Sequence, residues 1–192
     1  PASGSPNTRG PGRHGRAVRI GRFHTRVRQA PELFGEFPTS CLAEEIDINI
    51  AELLNQEARA LQAEGVDVVQ FDEPAFNVYM DDVKRWGIDA LHRCIEGLTC
   101  TTAVHICYGY GIKANLDWKE TLGSEWRQYE EIFPALAASR IDQISLECMH
   151  AKVPMHLMAL LKGKTVMVGV IDVASDAIET PQEVADTIGK AL

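Results

Sequence analysis

The stretch Cys100–Gly109, CTTAVHICYG, indicates the fold class of this chain. Its apolar run predicts a buried strand, and the strand ends in a turn of glycine and aromatic residues. His105 and Cys107 stand two positions apart, so on a strand their side chains share one face. In isolation such a pair is either core filling or the end of a functional strand, and the rest of the chain must distinguish the two.

Helical and strand patterns alternate on both sides of this stretch. Further strands are predicted in VDVVQFDEP (66–74), DQISLEC (142–148) and TVMVGVID (165–172). A helix precedes the first strand from about residue 40, and helices follow the strands at about 81–97, 124–139, 153–162 and 181–192. This alternation predicts an α/β fold of parallel βα units, of the (β/α)8 TIM-barrel type. About four units are visible, which predicts a partial barrel.

Length, composition and cysteine usage limit the class of protein. With 192 residues, 45% of them hydrophobic, the chain suffices for one sizeable domain or for half of a larger one. No apolar run approaches the ~20 residues of a membrane helix, and no signal peptide is evident at the start. The five cysteines include no CxxC pair, which favours reduced thiols over a secreted disulfide framework. We therefore expect a cytoplasmic protein without a membrane partner.

Positive charge is concentrated at the start of the chain. Residues 1–30 contain seven arginines and no acidic residue, whereas the remainder holds 12 basic and 27 acidic residues. The arginine-rich composition predicts that residues 1–35 are disordered, either as a tail or as a basic arm for an anionic partner. Residues 36–192 then form the partial barrel domain. The acidity of that domain argues against a nucleic-acid partner.

Polar side chains stand at the carboxyl ends of all four predicted strands, where barrel enzymes carry their chemistry. These residues are Asp72, then His105 with Cys107, then Glu147, and finally Asp172. Imidazole, thiolate and carboxylate together suit zinc better than magnesium or calcium. The sequence therefore predicts that His105, Cys107 and Glu147 converge on a zinc ion. Asp172 either binds substrate or hydrogen-bonds a neighbouring strand.

Four ordered motifs resemble the catalytic barrel of cobalamin-independent methionine synthases, and the match is best to the short, single-barrel forms. They are VVQFDEPAF, TTAVHICYGYG, QISLEC and VMVGVIDVASDAIETPQEVADTI, within residues 40–192. The resemblance implies a zinc-containing (β/α)8 barrel that transfers a methyl group from 5-methyltetrahydrofolate (polyglutamate) to homocysteine. It also implies that His105, Cys107 and Glu147 are zinc ligands and that Asp72 holds the amino group of the substrate.

The sequence departs from that family in two places. The family's further zinc ligand is a cysteine in a D-C-G motif, which this sequence does not contain. The longer enzymes carry D-x-H-S-P in the fourth motif, where this chain has Ala174 in the place of the histidine. We therefore expect a truncated barrel, and the 192-residue chain is expected to be a poor catalyst.

Three hypotheses follow. The chain is a homocysteine methyltransferase or a related zinc alkyltransferase acting on another thiol. It is a metal-free barrel of the decarboxylase kind, against which the predicted zinc ligands argue. Or it is a catalytically incomplete barrel that only binds metal or a partner. The unpaired edges of a partial barrel also predict self-association.

Overall fold

Five parallel strands form one sheet in the part of the chain that is described. The computed structural model describes residues 17–20, 40–73, 76, 80–107, 119–122, 128–172 and 175–192. The strands lie in chain order and are β1 (Ala17–Ile20), β2 (Val68–Asp72), β3 (Thr101–Ile106), β4 (Gln143–Leu146) and β5 (Thr165–Val168). Sequential parallel order with helical connections is the arrangement of a (β/α)8 barrel, so the predicted fold class is confirmed as part of such a barrel.

Helical segments lie between consecutive strands from β1 onward, and one more follows β5. The α-helices are α1 (Ser40–Ala63), α2 (Met80–Asp82), α3 (Ile88–Cys94), α4 (Tyr129–Ala138) and α5 (Pro181–Ala191). A π-helical turn, Val83–Gly87, joins α2 to α3, and 3-10 helices span Glu120–Leu122 and Met155–Leu161. The continuous helix expected over 81–97 is therefore divided, and the helix expected from 124 begins at Tyr129 among the described residues.

Strand β1 corrects the prediction that residues 1–35 lack regular structure. Ala17 to Ile20 pair in parallel with Val68 to Phe71 of β2, so five strands are described where four were predicted. The arginine-rich composition gives no strand signal. The four-residue strand forms because the edge of β2 supplies the backbone hydrogen bonds that such a strand needs. The other residues of the N-terminal segment lie outside the described residues.

Two helix boundaries follow from local chemistry. After α1, Gly65 adopts a φ of +83°, a conformation that glycine reaches without steric cost. Helix α5 begins with a capping box, in which the Thr180 side chain accepts from the Glu183 amide and the Glu183 carboxylate accepts from the Thr180 amide. Both boundaries agree with the sequence signals.

One face of the sheet carries the hydrophobic core. Burial alternates along β2 and β4, and the residues directed toward the helices are almost fully enclosed. The strand members of this core are Val69, Phe71, Val104, Ile106, Ile144 and Leu146, and the helices contribute Ala51, Ala58, Trp86, Ala90, Ile132, Phe133 and Leu136. The alternate strand residues on the opposite face are mostly half-buried. In a closed barrel this second face is the interior.

Side chains of α1 fix the loop that leads into β3. Asn55 donates to the carbonyl oxygens of Cys94 and Glu96 at 2.9 and 2.8 Å. Gln62 accepts from the amides of Thr99 and Cys100 at 2.7 and 2.8 Å. These bonds hold the start of the strand that carries His105 and Cys107.

Among the helices described, none combines the length and the apolar composition that crossing a membrane requires.

Candidate metal and substrate site

The strand register arranges the predicted site residues in two layers on the half-buried face. Asp72 pairs with His105 across β2 and β3, and His105 pairs with Ser145 across β3 and β4. One layer nearer the carboxyl edge, the Glu147 amide donates to the carbonyl oxygen of Ile106 at 3.4 Å, which sets Glu147 beside Cys107. Neighbouring strands lie about 4.8 Å apart, so both layers are compact. Asp72, His105 and Ser145 therefore lie at one level of the sheet, and Cys107 and Glu147 at the next.

The orientation of the His105 imidazole is set by Ser145. The Nδ1 atom of His105 lies 3.0 Å from the Ser145 hydroxyl oxygen. When Nδ1 carries the proton it donates to that oxygen, and Nε2 is then the ring nitrogen that bears the lone pair. Metal-binding histidines are commonly held in this way through their second ring nitrogen.

The Glu147 carboxylate is occupied by backbone amides. Its Oε1 atom accepts from the amides of Met149 and His150, both at 2.9 Å, and its Oε2 atom accepts from the Ala151 amide at 2.8 Å. Hydrogen bonds to a charged acceptor are stronger than those between neutral groups. The side chain is therefore tied to the turn that follows β4.

A buried lysine lies near the thiol and the carboxylate. Lys119 is only 6% exposed, which is rare for lysine. Burial lowers the pKa of its ammonium group, and the nearby Cys107 and Glu147 oppose that shift by favouring the charged form. This corner of the site is therefore built around a cation, a thiol and a carboxylate from three separate segments.

The assignment of His105, Cys107 and Glu147 as zinc ligands stays a prediction. Within the described residues, no group of three His, Cys, Asp or Glu side chains is placed to hold a metal ion. His105, Cys107 and Glu147 fit zinc in donor chemistry, and they lie on one face at one edge of the sheet. In the structure the Glu147 carboxylate is hydrogen-bonded by the amides of the turn after β4. Partners of this kind are not visible in a strand pattern.

The two predicted substrate-binding carboxylates lie in different surroundings. Asp72, on β2, accepts from the Gln70 side chain at 2.9 Å. Asp172 lies in the loop after β5, where its amide donates to the Glu179 carboxylate at 2.7 Å. The Nδ1 atom of His150 lies 4.0 Å from a carboxylate oxygen of Asp172. Asp72 is thus adjacent to His105, whereas Asp172 is grouped with His150.

Several candidates of lower priority lie on the helix side of the sheet. Glu73 is 1% exposed, and Cys148 is 2% exposed with its sulfur 3.7 Å from the Leu146 carbonyl oxygen. Burial raises the pKa of Cys148 to about 12, and burial also raises the pKa of Cys94, with Glu73 adding to that shift. Cys148 is therefore a thiol of the hydrophobic core.

Three further side chains near the candidate site were not predicted from the sequence, namely Ser145, His150 and Lys119. Ser145 could have been found, because it shares the face of Glu147 two positions away on the same strand. His150 follows β4 in a turn without a periodic pattern, and its neighbour Asp172 comes from another loop. Lys119 had no recognisable signal, because no strand or helix periodicity leads up to it.

The chain was compared with protein families and with known proteins. The family model described as "Cobalamin-independent synthase, Catalytic domain" matches residues 42–192. The methionine synthase of Saccharolobus islandicus (strain L.S.2.15 / Lassen #1) is 31% identical over 146 residues, which is 75% of this chain and 38% of that protein. The methionine synthase of Sulfolobus acidocaldarius is 30% identical over 144 residues, again 75% of this chain and 37% of that protein.

A solved structure is similar in both sequence and shape. A B12-independent methionine synthase from Shewanella sp. W3-18-1, determined in complex with selenomethionine, is 62% identical with a TM-score of 0.74. The match covers 82% of this chain and 45% of the Shewanella chain. The chain thus spans less than two fifths of the two curated relatives and less than half of the solved relative. Its strand order, its half-buried site and these similarities together show that the chain belongs to the cobalamin-independent methionine synthase family, within the catalytic domain.

Proposed function

We propose that this chain provides the homocysteine-binding and metal-binding part of a methyltransferase that converts homocysteine to methionine, with 5-methyltetrahydrofolate (polyglutamate) as the methyl donor. One observation carries the proposal: Asp72, His105, Cys107 and Glu147 share one sheet face at the carboxyl edge of three adjacent strands. The family match over residues 42–192 supports a methyltransferase role for this arrangement.

The reaction exchanges one bond to the methyl carbon for another. The homocysteine sulfur forms the new C–S bond while the C–N bond of the donor breaks, and the electron pair of that bond returns to nitrogen. The thiol loses a proton and the nitrogen gains one, so protons balance. Asp72 would bind the ammonium group of homocysteine, which fixes where its sulfur points. Holding the two reactants in line is a large part of such catalysis.

His105, Cys107 and Glu147 would hold the zinc ion. Zinc, when bound, lowers the pKa of a thiol so that a thiolate is available near neutral pH. The chain's own contribution is orientation, because Ser145 fixes the His105 ring and the strand register sets Cys107 beside Glu147. The Lys119 side chain lies near both of those groups.

A chimera tests the proposal within a complete barrel. Residues 40–192 would replace the equivalent segment of the Shewanella relative, and methionine formation from homocysteine and methyl-folate would be measured. We expect turnover by the chimera and its loss in the Cys107→Ser variant. Cys100→Ser is the matched control, because Cys100 precedes β3 at the opposite edge of the sheet.

The outcomes distinguish the candidate functions. A folded chimera that binds zinc but does not turn over with these substrates would contradict the methyl-folate proposal and favour an alkyltransferase acting on another donor or thiol. Equal activity in the Cys107→Ser and Cys100→Ser variants would show that Cys107 is not a zinc ligand.

A second candidate is that the 192-residue polypeptide binds metal or a partner without turnover. It is favoured by a sheet of five described strands, where a complete barrel has eight. The 192-residue chain alone should therefore form methionine at a negligible rate, and robust turnover by the purified chain would refute this.

The four described cysteines are all thiols, which supports a reducing, cytoplasmic location.

We further propose self-association of the 192-residue polypeptide through β5. This strand is the last in the described sheet, and Met167 on β5 and Ile188 on α5 are 40% and 45% exposed. An unpaired strand edge beside apolar side chains is a template for pairing with another chain. Sedimentation velocity should show dimers or larger species that increase with concentration, whereas a monomer at all concentrations would contradict the proposal.

A further inference from the structure

The end of β2 holds the backbone of Asp72 in a fixed place beside β3. Asp72 pairs in register with His105, and the amide of the next residue, Glu73, donates to the His105 carbonyl oxygen at 2.8 Å. A shift of Asp72 along the strand would break this ladder and leave backbone groups unpaired. The freedom that remains to the Asp72 carboxylate is therefore rotation within its own side chain.

Gln70 restricts that rotation. Residues two apart on a strand share a face, so the side chains of Gln70 and Asp72 lie on the same side of β2. The Gln70 Nε2 atom donates to Asp72 Oδ1 at 2.9 Å, and both residues are half-buried. An ionised carboxylate only accepts hydrogen bonds, so the amide must present its nitrogen rather than its oxygen. The amide therefore holds one carboxylate oxygen of Asp72 in place.

The neutrality of this donor suits a carboxylate that binds a cation. A lysine or arginine at position 70 would also donate to Asp72, but its positive charge would repel an incoming ammonium group. The glutamine amide holds the carboxylate without adding charge. A hydrogen bond to a charged acceptor is also stronger than one between neutral groups, so a single amide is sufficient to favour one orientation.

We propose that Gln70 is a positioning residue that acts through Asp72 and selects thiols that carry an amino group. The amide holds the Asp72 carboxylate in the orientation in which it binds the ammonium group of homocysteine. Without the amide, ordering of the carboxylate on binding would cost conformational entropy. This inference rests on the proposed function, which assigns the ammonium group to Asp72, and it adds the side chain that orients Asp72.

The homocysteine affinity of two Gln70 variants tests the proposal. Calorimetry would give the dissociation constant in the chimera that carries residues 40–192. Gln70→Met keeps the length of the side chain and removes the donor, whereas Gln70→Asn keeps the amide but is one methylene shorter. We expect each variant to bind homocysteine about tenfold more weakly, because a hydrogen bond to a charged group is lost. Gln143→Met is the matched control, because Gln143 lies at the same level of the sheet on β4, two strands from β2.

Two further measurements separate a positioning role from a structural one. 4-Sulfanylbutanoic acid is homocysteine without its amino group, so Gln70→Met should leave the affinity for this ligand unchanged. In an Asp72→Ala background, Gln70→Met should have no further effect on homocysteine affinity, because Gln70 acts through Asp72. Unchanged homocysteine affinity in both folded Gln70 variants, equal weakening for the two ligands, or full additivity with Asp72→Ala would overturn the proposal.

Turnover of the unsubstituted chimera tests the proposed function separately. If the chimera binds homocysteine but forms no methionine, methyl transfer is contradicted, and the affinity comparison still decides the role of Gln70. If the chimera binds no homocysteine, both proposals are overturned. If Gln70→Met does not fold, the Gln70→Asn variant decides.

Discussion

Replacing Ser145 with alanine should weaken zinc binding without removing a ligand. The Ser145 hydroxyl lies 3.0 Å from His105 Nδ1 and fixes the ring that would present Nε2 to the metal. A neutral hydrogen bond of this kind contributes about 1 kcal/mol, which corresponds to about a fivefold change in an equilibrium constant. Loss of an outer-shell partner typically lowers metal affinity by about 10- to 100-fold. Because Ser145 is uncharged and half-buried, we expect about a five- to tenfold weaker zinc affinity.

Competition with a chromogenic chelator measures this effect. Ser139→Ala is the matched control: its hydroxyl donates to the Leu136 carbonyl oxygen at 2.7 Å, near the amino end of β4. The control should lower the free energy of unfolding but leave zinc affinity unchanged. Ser145→Thr keeps the hydroxyl and should recover most of the affinity. Equal zinc affinities in wild type and Ser145→Ala would refute the idea that Ser145 positions His105.

Two further predictions concern packing and thiol reactivity. A Cβ at Gly169 would lie 2.9 Å from the Leu146 carbonyl oxygen, so Gly169→Ala should lower the free energy of unfolding by about 1–3 kcal/mol, and an unchanged urea midpoint would contradict this. Iodoacetamide at pH 8 should label half-buried Cys107 but spare Cys94 and Cys148, because burial raises the pKa of both spared thiols. Peptide mass spectrometry reads the labels, and rapid modification of Cys148 in folded protein would contradict its placement in the core.

The sheet and its faces were predictable because side-chain alternation along a strand is a local property. Val69 and Phe71 are buried among the helices, while Asp72 and His105 lie on the other face, as the two-residue period requires. The position of the site at the carboxyl edge then followed from the parallel topology. No tertiary information was needed for these inferences.

Strand β1 could not be recognised from its own composition. Its four residues lie in an arginine-rich segment, and the strand exists through pairing with β2. The decisive interaction is between residues about 50 positions apart, so a pattern read along the chain does not contain it. Edge strands of this length depend more on their partner than on their own hydrophobicity.

The hydrogen-bond partners of Glu147 were not predictable for a similar reason. The strand period correctly sets Glu147 beside Cys107, but it does not reveal what the carboxylate binds. The amides of the turn after β4 are its partners, and Lys119 arrives from a segment without a recognisable period. Site geometry therefore depended on a turn conformation and on a distant residue, neither of which a two-residue repeat encodes.

X-ray absorption at the zinc edge tests the central claim most directly. The 192-residue chain, loaded with one equivalent of zinc, should show a sulfur neighbour at about 2.3 Å together with nitrogen or oxygen neighbours at about 2.0 Å. The sulfur contribution should disappear in Cys107→Ser and persist in Cys100→Ser. A zinc ion surrounded only by oxygen and nitrogen in the wild-type chain, or sulfur that persists in Cys107→Ser, would contradict a metal site at the carboxyl ends of β3 and β4.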